Sequence, residues 1–206
     1  MYINSISPVL VINLSSVSFM KKELIRLFTV LVIIYLCQMN LFAQKYICKT
    51  GTIEIHSESS LFSIDGANTK TASFLNTENG VITASLLNQS FRFDKTVVEE
   101  KMKEDYLEVN KFPKSKFKGK IIEYRNIDFS ENGVFKILFE GKLTIHGKTN
   151  YIKEKGIISI KDGLISLQTE FTISLKKYDI QLDKMCEIVT DDEINLKIRF
   201  NYKPYY

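Results

Sequence analysis

"GKLTIHGKTNYI", residues 141–152, holds one of the chain's two histidines, set between two glycines and beside Thr144 and Thr149. If His146 belongs to a catalytic or metal cluster, the protein is an enzyme. If it marks a corner between strands, the pattern around it decides the fold. Across "FKILFEGKLTIHG" (135–147), Phe135, Ile137, Phe139, Leu143 and Ile145 share one face with Gly141. Lys136, Glu140, Lys142, Thr144 and His146 share the other, broken only by Leu138. A period of two with one apolar face is that of a strand wet on one side. His146 is then outward, and Gly147 permits a tight turn. It reads as a turn residue hydrogen-bonding locally, not as a ligand or base. Gly141 falls inward, where a missing side chain lets a barrel bend or a ligand pass.

The same alternation recurs. "GTIEIHS" (51–57) sets Ile53 and Ile55 on one face and His56 on the other. "LISLQTEFTISLKKYD" (164–179) groups Ile165, Leu167, Phe171, Ile173 and Leu175. "EINLKIRFNYK" (193–203) groups Ile194, Leu196, Ile198, Phe200 and Tyr202. Strand-like segments lie near 46–57, 60–66, 70–77, 80–93, 115–124, 133–146, 148–162, 163–178 and 193–203, with 60–66 read as a continuation of the first. Glu78-Asn79-Gly80, Glu131-Asn132-Gly133 and Lys161-Asp162-Gly163 read as primed hairpin turns.

One segment breaks the pattern. "DKTVVEEKMKEDYLEVNKFPK" (94–114) puts Val98, Met102, Tyr106 and Val109 on one helical stripe. Thr96 and Glu99 fit a capping box, and Pro113 ends the segment. The helix, about 96–109, must lay its stripe on a sheet or across a barrel mouth. About eight antiparallel strands and one helix predict an all-β barrel or sandwich, and closure would remove exposed edges. An eight-stranded barrel fills itself with side chains or holds one small ligand.

The 206 residues, 45% hydrophobic and 25% charged, suit one globular domain plus an N-terminal extension. A net charge of +4 is too small to suggest a nucleic-acid partner. No G-x-S-x-G, P-loop or dinucleotide fingerprint is present, and the two histidines gather no third ligand in sequence, so no catalytic residue, metal or required cofactor is expected. The basic stretch "KSKFKGK" (114–120) reads as a half-buried strand whose wet lysines are either simply solvated or in transient contact with anionic lipid headgroups.

At the N-terminus, Met20-Lys21-Lys22-Glu23-Leu24-Ile25-Arg26 forms a basic region, and Leu27 to Leu36 an apolar core of signal-peptide length. Residues 1–43 are therefore read as a leader, with the signal peptide over about 20–43, cleavage after Ala43 and translation from Met20. An uncleaved membrane anchor is the alternative. The leader carries two of the four net positive charges, leaving about +2 on residues 44–206. Export permits disulfides. In an up-and-down barrel, however, Cys48 starts the first strand beside the end of the last, while Cys186 precedes the last strand at the opposite rim, so no bridge is expected.

Three stretches together resemble one family. "DYLEVNKFPKSKFKGKI" (105–121) matches a helix, a lysine-rich "K-aromatic-P" loop and a strand; "GKLTIHGKTNYI" a strand-turn-strand motif; and "FTISLKKYDI" (171–180) a late strand and turn. The resemblance is to the YceI-like bacterial polyisoprenoid-binding proteins, in the form common in Bacteroidetes. It covers essentially residues 44–206, and departs from the family pattern near 56–76. It implies an eight-stranded antiparallel lipocalin-like barrel in the periplasm, a monomer or homodimer, with a long isoprenoid or similar lipid inside. Burying about twenty carbons offers on the order of 16 kcal/mol gross, at roughly 0.8 kcal/mol each, before association costs. The expected lining comprises Phe62, Leu87, Phe91 and Phe93 from the early segments. Phe117, Phe135, Ile137 and Phe139 come from the middle strands, and Phe171, Ile173, Leu196, Ile198 and Phe200 from the late ones. Met102 and Tyr106 lie at the mouth. Parity over 80–93 is ambiguous, since Ile82, Ala84 and Leu86 compete with Val81 and Leu87. An envelope stress or interaction protein with a filled barrel is the other reading. N-terminal sequencing of the exported form is expected to begin at Gln44; a mature chain still beginning at Met20 would contradict the leader.

Overall fold

The computed structural model describes residues 14–37, 45–58, 63–181 and 192–205. It divides into two units, Met1–Phe42 and Ala43–Tyr206. The first contains helix α1, Leu14–Cys37. Among the described residues no helix is long and apolar enough to cross a membrane. The expected cleavage site after Ala43 lies outside the described residues.

In the second unit, alternation becomes a ring. Eight long strands are β1 (Lys45–Glu58), β2 (Ser63–Asn76), β3 (Val81–Leu87), β5 (Lys114–Ile122), β6 (Gly133–Ile145), β7 (Lys148–Lys161), β8 (Leu164–Ser174) and β9 (Glu193–Pro204), with a two-residue β4 (Arg92–Phe93) attached to β2. All pairings are antiparallel, in the order β1-β9-β8-β7-β6-β5-β3-β2, and β2 pairs with β1 again, so the barrel closes. The alternation read in β6, β8 and β9 is the burial observed. Phe139, Ile165, Leu167, Phe171, Ile194, Leu196, Phe200 and Tyr202 are buried, and their polar neighbours face out.

Five local readings change. Residues 63–66 do not continue the first strand; they begin β2, which turns back on β1 with Ser57 opposite Ile64. In β3, Ile82 and Leu86 are buried while Leu87 is 49% exposed, so Leu87 faces solvent, not the interior. Its parity was undecidable in sequence because both faces carry aliphatics. The helix is shorter: α2 runs Thr96–Lys101 and passes into a single π turn, Met102–Tyr106, with Leu107 N–H donating to the Met102 carbonyl. Thr96 does not cap it, since Lys95 holds the capping position without a side-chain bond, while Glu99 does reach back to the Phe93 N–H. Of the three expected primed turns, Asp162-Gly163 has both residues at positive φ, Asn79-Gly80 has only Gly80 there, and Asn132-Gly133 has neither; His146-Gly147, not among the three, has both. Asn132 instead bonds the Asp162 backbone and side chain, pinning one loop to the next hairpin.

Two devices bend the wall. A register shift in β1 between Cys48 and Gly51 moves the inward face from Tyr46 and Cys48 to Gly51 and Ile55, as a bulge does. Gly119 and Gly141 lie directly opposite each other on β5 and β6, and a Cβ on either would collide with the partner strand's backbone. The missing side chain of Gly141 thus lets two strands coil together.

Cys48 is a buried free thiol near Tyr202, at the opposite end of β9 from Asp192. Cys186 lies outside the described residues. Ten residues of strand separate the two rims by about 30 Å, and six residues of extended chain from Asp192 reach about 20 Å. A disulfide needs Cα atoms within about 7 Å. Denatured, unreduced protein lacking its leader is therefore expected to titrate with two free thiols; none, in a monomer, would overturn this.

Candidate functional site: an apolar cavity under a helical lid

The inward faces enclose a cavity of about 140 Å³, lined almost wholly by carbon. β6 contributes Phe139, Leu143 and Ile145; β8 contributes Phe171 and Ile173; β9 contributes Leu196, Ile198 and Phe200. Ile53 and Ile55 of β1, Thr71 of β2, Ile82, Ala84 and Leu86 of β3, Phe117 of β5 and Ile152 of β7 line the rest. Phe117, Phe139 and Phe171 form an edge-to-face series, with centroids 5.7 and 6.4 Å apart. Phe91, just before β4, and Met102, Tyr106 and Leu107 after it also line the cavity, so the segment after β4 covers part of it as a lid.

Other expected lining residues sit elsewhere. Leu87 is on the outer surface. Phe93 packs on Phe91, with centroids 6.2 Å apart, and against bare Gly66. Phe135 and Ile137 do not line this cavity; half-buried Phe135 and buried Ile137 border a second, more open hollow together with Ile127, Val134 and Ile157. Phe62 is outside the described residues.

Polar groups hold the lid. Buried Asn88 donates from its amide nitrogen to the Phe112 carbonyl at 2.6 Å and accepts from the Ser115 hydroxyl at 2.8 Å, joining the two ends of the lid segment. Lys103, buried by its apolar stem, donates to Glu99 at 2.5 Å. That bond, with the Phe93 N–H, holds the Glu99 carboxyl below the usual carboxylate range. His146 is the third anchor. Its side chain is 10% exposed, with Nε2 2.7 Å from a Glu108 carboxylate oxygen and Nδ1 3.2 Å from the Tyr178 carbonyl. Phe112 packs on its ring, with centroids 4.3 Å apart. Its bonds are thus long-range rather than local, tying the lid, the β6–β7 corner and the turn after β8. Each ring nitrogen faces an oxygen, one on the lid and one on the turn after β8. His56 is separate, bonding Asp65 at 2.6 Å. Among the described residues no three His, Cys, Asp or Glu side chains gather as a metal site.

The wall has one unusual seam. β7 pairs with β6 along its whole length, but with β8 only from Ile157 to Lys161. The Thr169 hydroxyl donates to the Lys155 carbonyl where that ladder stops, and Asn150 reaches the Lys177 carbonyl further up. Between them sits Glu154, on the inward parity of β7, opposite Phe139 and, by continuation of the register, level with Phe171. It is half-buried with no hydrogen bond or ion pair among the described residues, and burial holds its carboxyl above the usual range. An unpartnered carboxylate is costly in a dry wall, and the open ladder leaves it a route to water. Its sequence signal was an acid at an inward position between Ile152 and Gly156.

Two outcomes follow. His146→Ala should speed amide exchange over 96–112 while leaving β8 and β9 protected. The Glu108 carboxyl, held low mainly by its bond from His146, contributes lid protection present above the ordinary carboxylate pKa and lost as pH falls through its lowered value; the variant should lack that acid step. Glu154→Leu should raise the thermal midpoint at neutral pH. Because the folded carboxyl titrates above the unfolded one, wild type loses stability as pH rises through that interval, so the variant's advantage should shrink on acidification. Equal midpoints at neutral pH would show the carboxylate to be fully solvated.

The YceI-like domain model matches residues 48–202. The fold resembles a polyisoprenoid-binding domain from Saccharophagus degradans, described as implicated in plant cell wall breakdown, at TM-score 0.68 and 9% identity, covering 79% of this chain and 99% of that one. It also resembles Burkholderia cenocepacia BcnA (TM-score 0.58, 14% identity, 74% and 96% covered). A third likeness is to the Campylobacter jejuni YCEI protein (TM-score 0.54, 17% identity, 68% and 85% covered). No curated protein matches the sequence. With the domain model spanning all but the ends of the barrel, the chain belongs to the YceI-like family.

Proposed function

We propose that this chain binds a long-chain isoprenoid or similar lipid inside its barrel, as a non-enzymatic carrier or store in the periplasm. The observation that carries the reading is the apolar cavity under the lid, whose lining presents carbon from every strand it touches. The likeness to a polyisoprenoid-binding domain supports the ligand class. Binding by such a surface is non-directional and needs no polar motif.

The cavity volume favours a second reading enough to keep it. About 140 Å³ is the size that takes a benzene-sized guest, not a chain of twenty carbons. A long chain therefore requires the lid to lift or the β7–β8 seam to widen; without either, the barrel is a filled scaffold that acts through its surface.

Native mass spectrometry, followed by organic extraction, distinguishes the two. A co-purifying lipid, or uptake of an added polyprenol, is expected; an empty protein that takes up neither would leave the filled scaffold. Phe139→Asp should abolish uptake or folding, since it sets an unpaired carboxylate in the wall. Wild-type lipid content in that variant would move the ligand elsewhere.

A further inference from the structure

The outer surface of β5, β6 and β7 carries almost one sign of charge. β5 directs Lys114, Lys116, Lys118 and Lys120 outward. β6 adds Lys136 and Lys142, and β7 adds Lys153, Lys155 and Lys161, all exposed. The carboxylate among these outward positions is Glu140, which lies in register between Lys120 and Lys153 and pairs with Lys120 at 3.6 Å. Lys118 and Lys142 stand directly opposite each other.

Folding does not call for this arrangement. Adjacent strands lie about 4.8 Å apart and alternate residues about 6.8 Å, inside the Debye length of about 8 Å at physiological salt. Like charges at such positions repel and weaken the sheet. The far side of the barrel is built differently: Glu54 pairs with Arg199, and Glu170 lies opposite Lys197. With a single carboxylate among nine lysines at these outward positions, the charge of this face is offset mainly by anions from outside, dissolved or on a surface.

A second feature coincides with the first. Val134, Tyr151 and Ile157 are 73%, 62% and 43% exposed on this same face, with Tyr151 opposite Lys142 and Ile157 opposite Lys136. Lysine stems lying over apolar side chains, with their ammonium heads extended, suit the boundary between headgroups and acyl chains. The outward cations of these strands are all lysine, which serves diffuse attraction better than the forked recognition that arginine provides. One exposed ring is too few for the stacking series that single-stranded nucleic acid uses.

We propose that the outer face of β5–β7 docks the protein on anionic phospholipid bilayers, with the lysines against phosphate groups and Val134, Tyr151 and Ile157 at the headgroup boundary. The inference stands whether or not the cavity holds a lipid.

The test is co-sedimentation of the full chain with vesicles of phosphatidylcholine alone or with about 30 mol% phosphatidylglycerol, at low and physiological salt. Wild type should bind the anionic vesicles more tightly, and less so as salt rises. Replacing Lys118, Lys142, Lys153 and Lys155 by Gln should remove most of that gain, at about fivefold in affinity per lysine. Replacing Lys49, Lys70, Lys197 and Lys203 by Gln, on the other strands, should remove far less. The leader is common to all three proteins, so the difference between the two variants reads the face itself. Equal losses in both, or no dependence on phosphatidylglycerol, would overturn the proposal. So would tighter salt-dependent binding to a single-stranded DNA homopolymer than to the vesicles, lost in the first variant.

Discussion

A side chain that points into a ring of eight strands reaches water only through the rims or a break in the wall. Every inward position must therefore be apolar, or polar with a partner, because an unmatched polar group there costs on the order of 1–3 kcal/mol. The polar exceptions follow that rule. Asn68 bridges to the Leu87 carbonyl, where β2 and β3 are not laddered, and accepts from Lys70 and Thr71. Ser73 and Tyr202 share a hydrogen bond of 2.7 Å, and burial still pushes the Tyr202 phenol up. Thr169 bonds a backbone carbonyl. Glu154 alone has no such partner among these inward groups, and the ladder is open beside it.

The lid and the seam are the two places where this wall gives way, and they differ in kind. The lid is held by side chains: Asn88 to backbone at its ends, Lys103 on Glu99, and His146 on Glu108. Such contacts break one by one, and segments held this way open more readily than laddered strands. The seam is defined by missing backbone pairs, so widening it sacrifices little hydrogen bonding. Hinged lid and slack wall together give a small cavity two directions in which to grow.

The long strands were legible because each has a single wet face: in β9 no polar residue interrupts Ile194, Leu196, Ile198, Phe200 and Tyr202. β3 was not, because seven residues with aliphatics on both faces leave the period undetermined, and Leu87 was placed inside on that account. The helix was recognised from its stripe, but its last turn winds as a π turn that puts Leu107 as well as Met102 and Tyr106 into the core. The role of His146 was hidden for a different reason. Its partners stand 38 and 32 residues away, and alternation reports which face a side chain takes, not what it meets. The same blindness hid the seam, since a ladder that stops halfway leaves no trace in the order of the residues.

The pairing of β1 with β9 also governs how the chain reaches this state. β1 (Lys45–Glu58) and β9 (Glu193–Pro204) are the first and last strands of the barrel, so the ring cannot shut until β9 is available. Contacts of such sequence separation are late and slow to form, and a β-barrel dominated by them folds on the millisecond-to-second scale. Until then β1 and β8 are bare edges that another chain can pair with. A polypeptide that emerges N-terminus first thus passes through an unclosed sheet, and loss of β9 alone would leave an aggregation-prone ribbon.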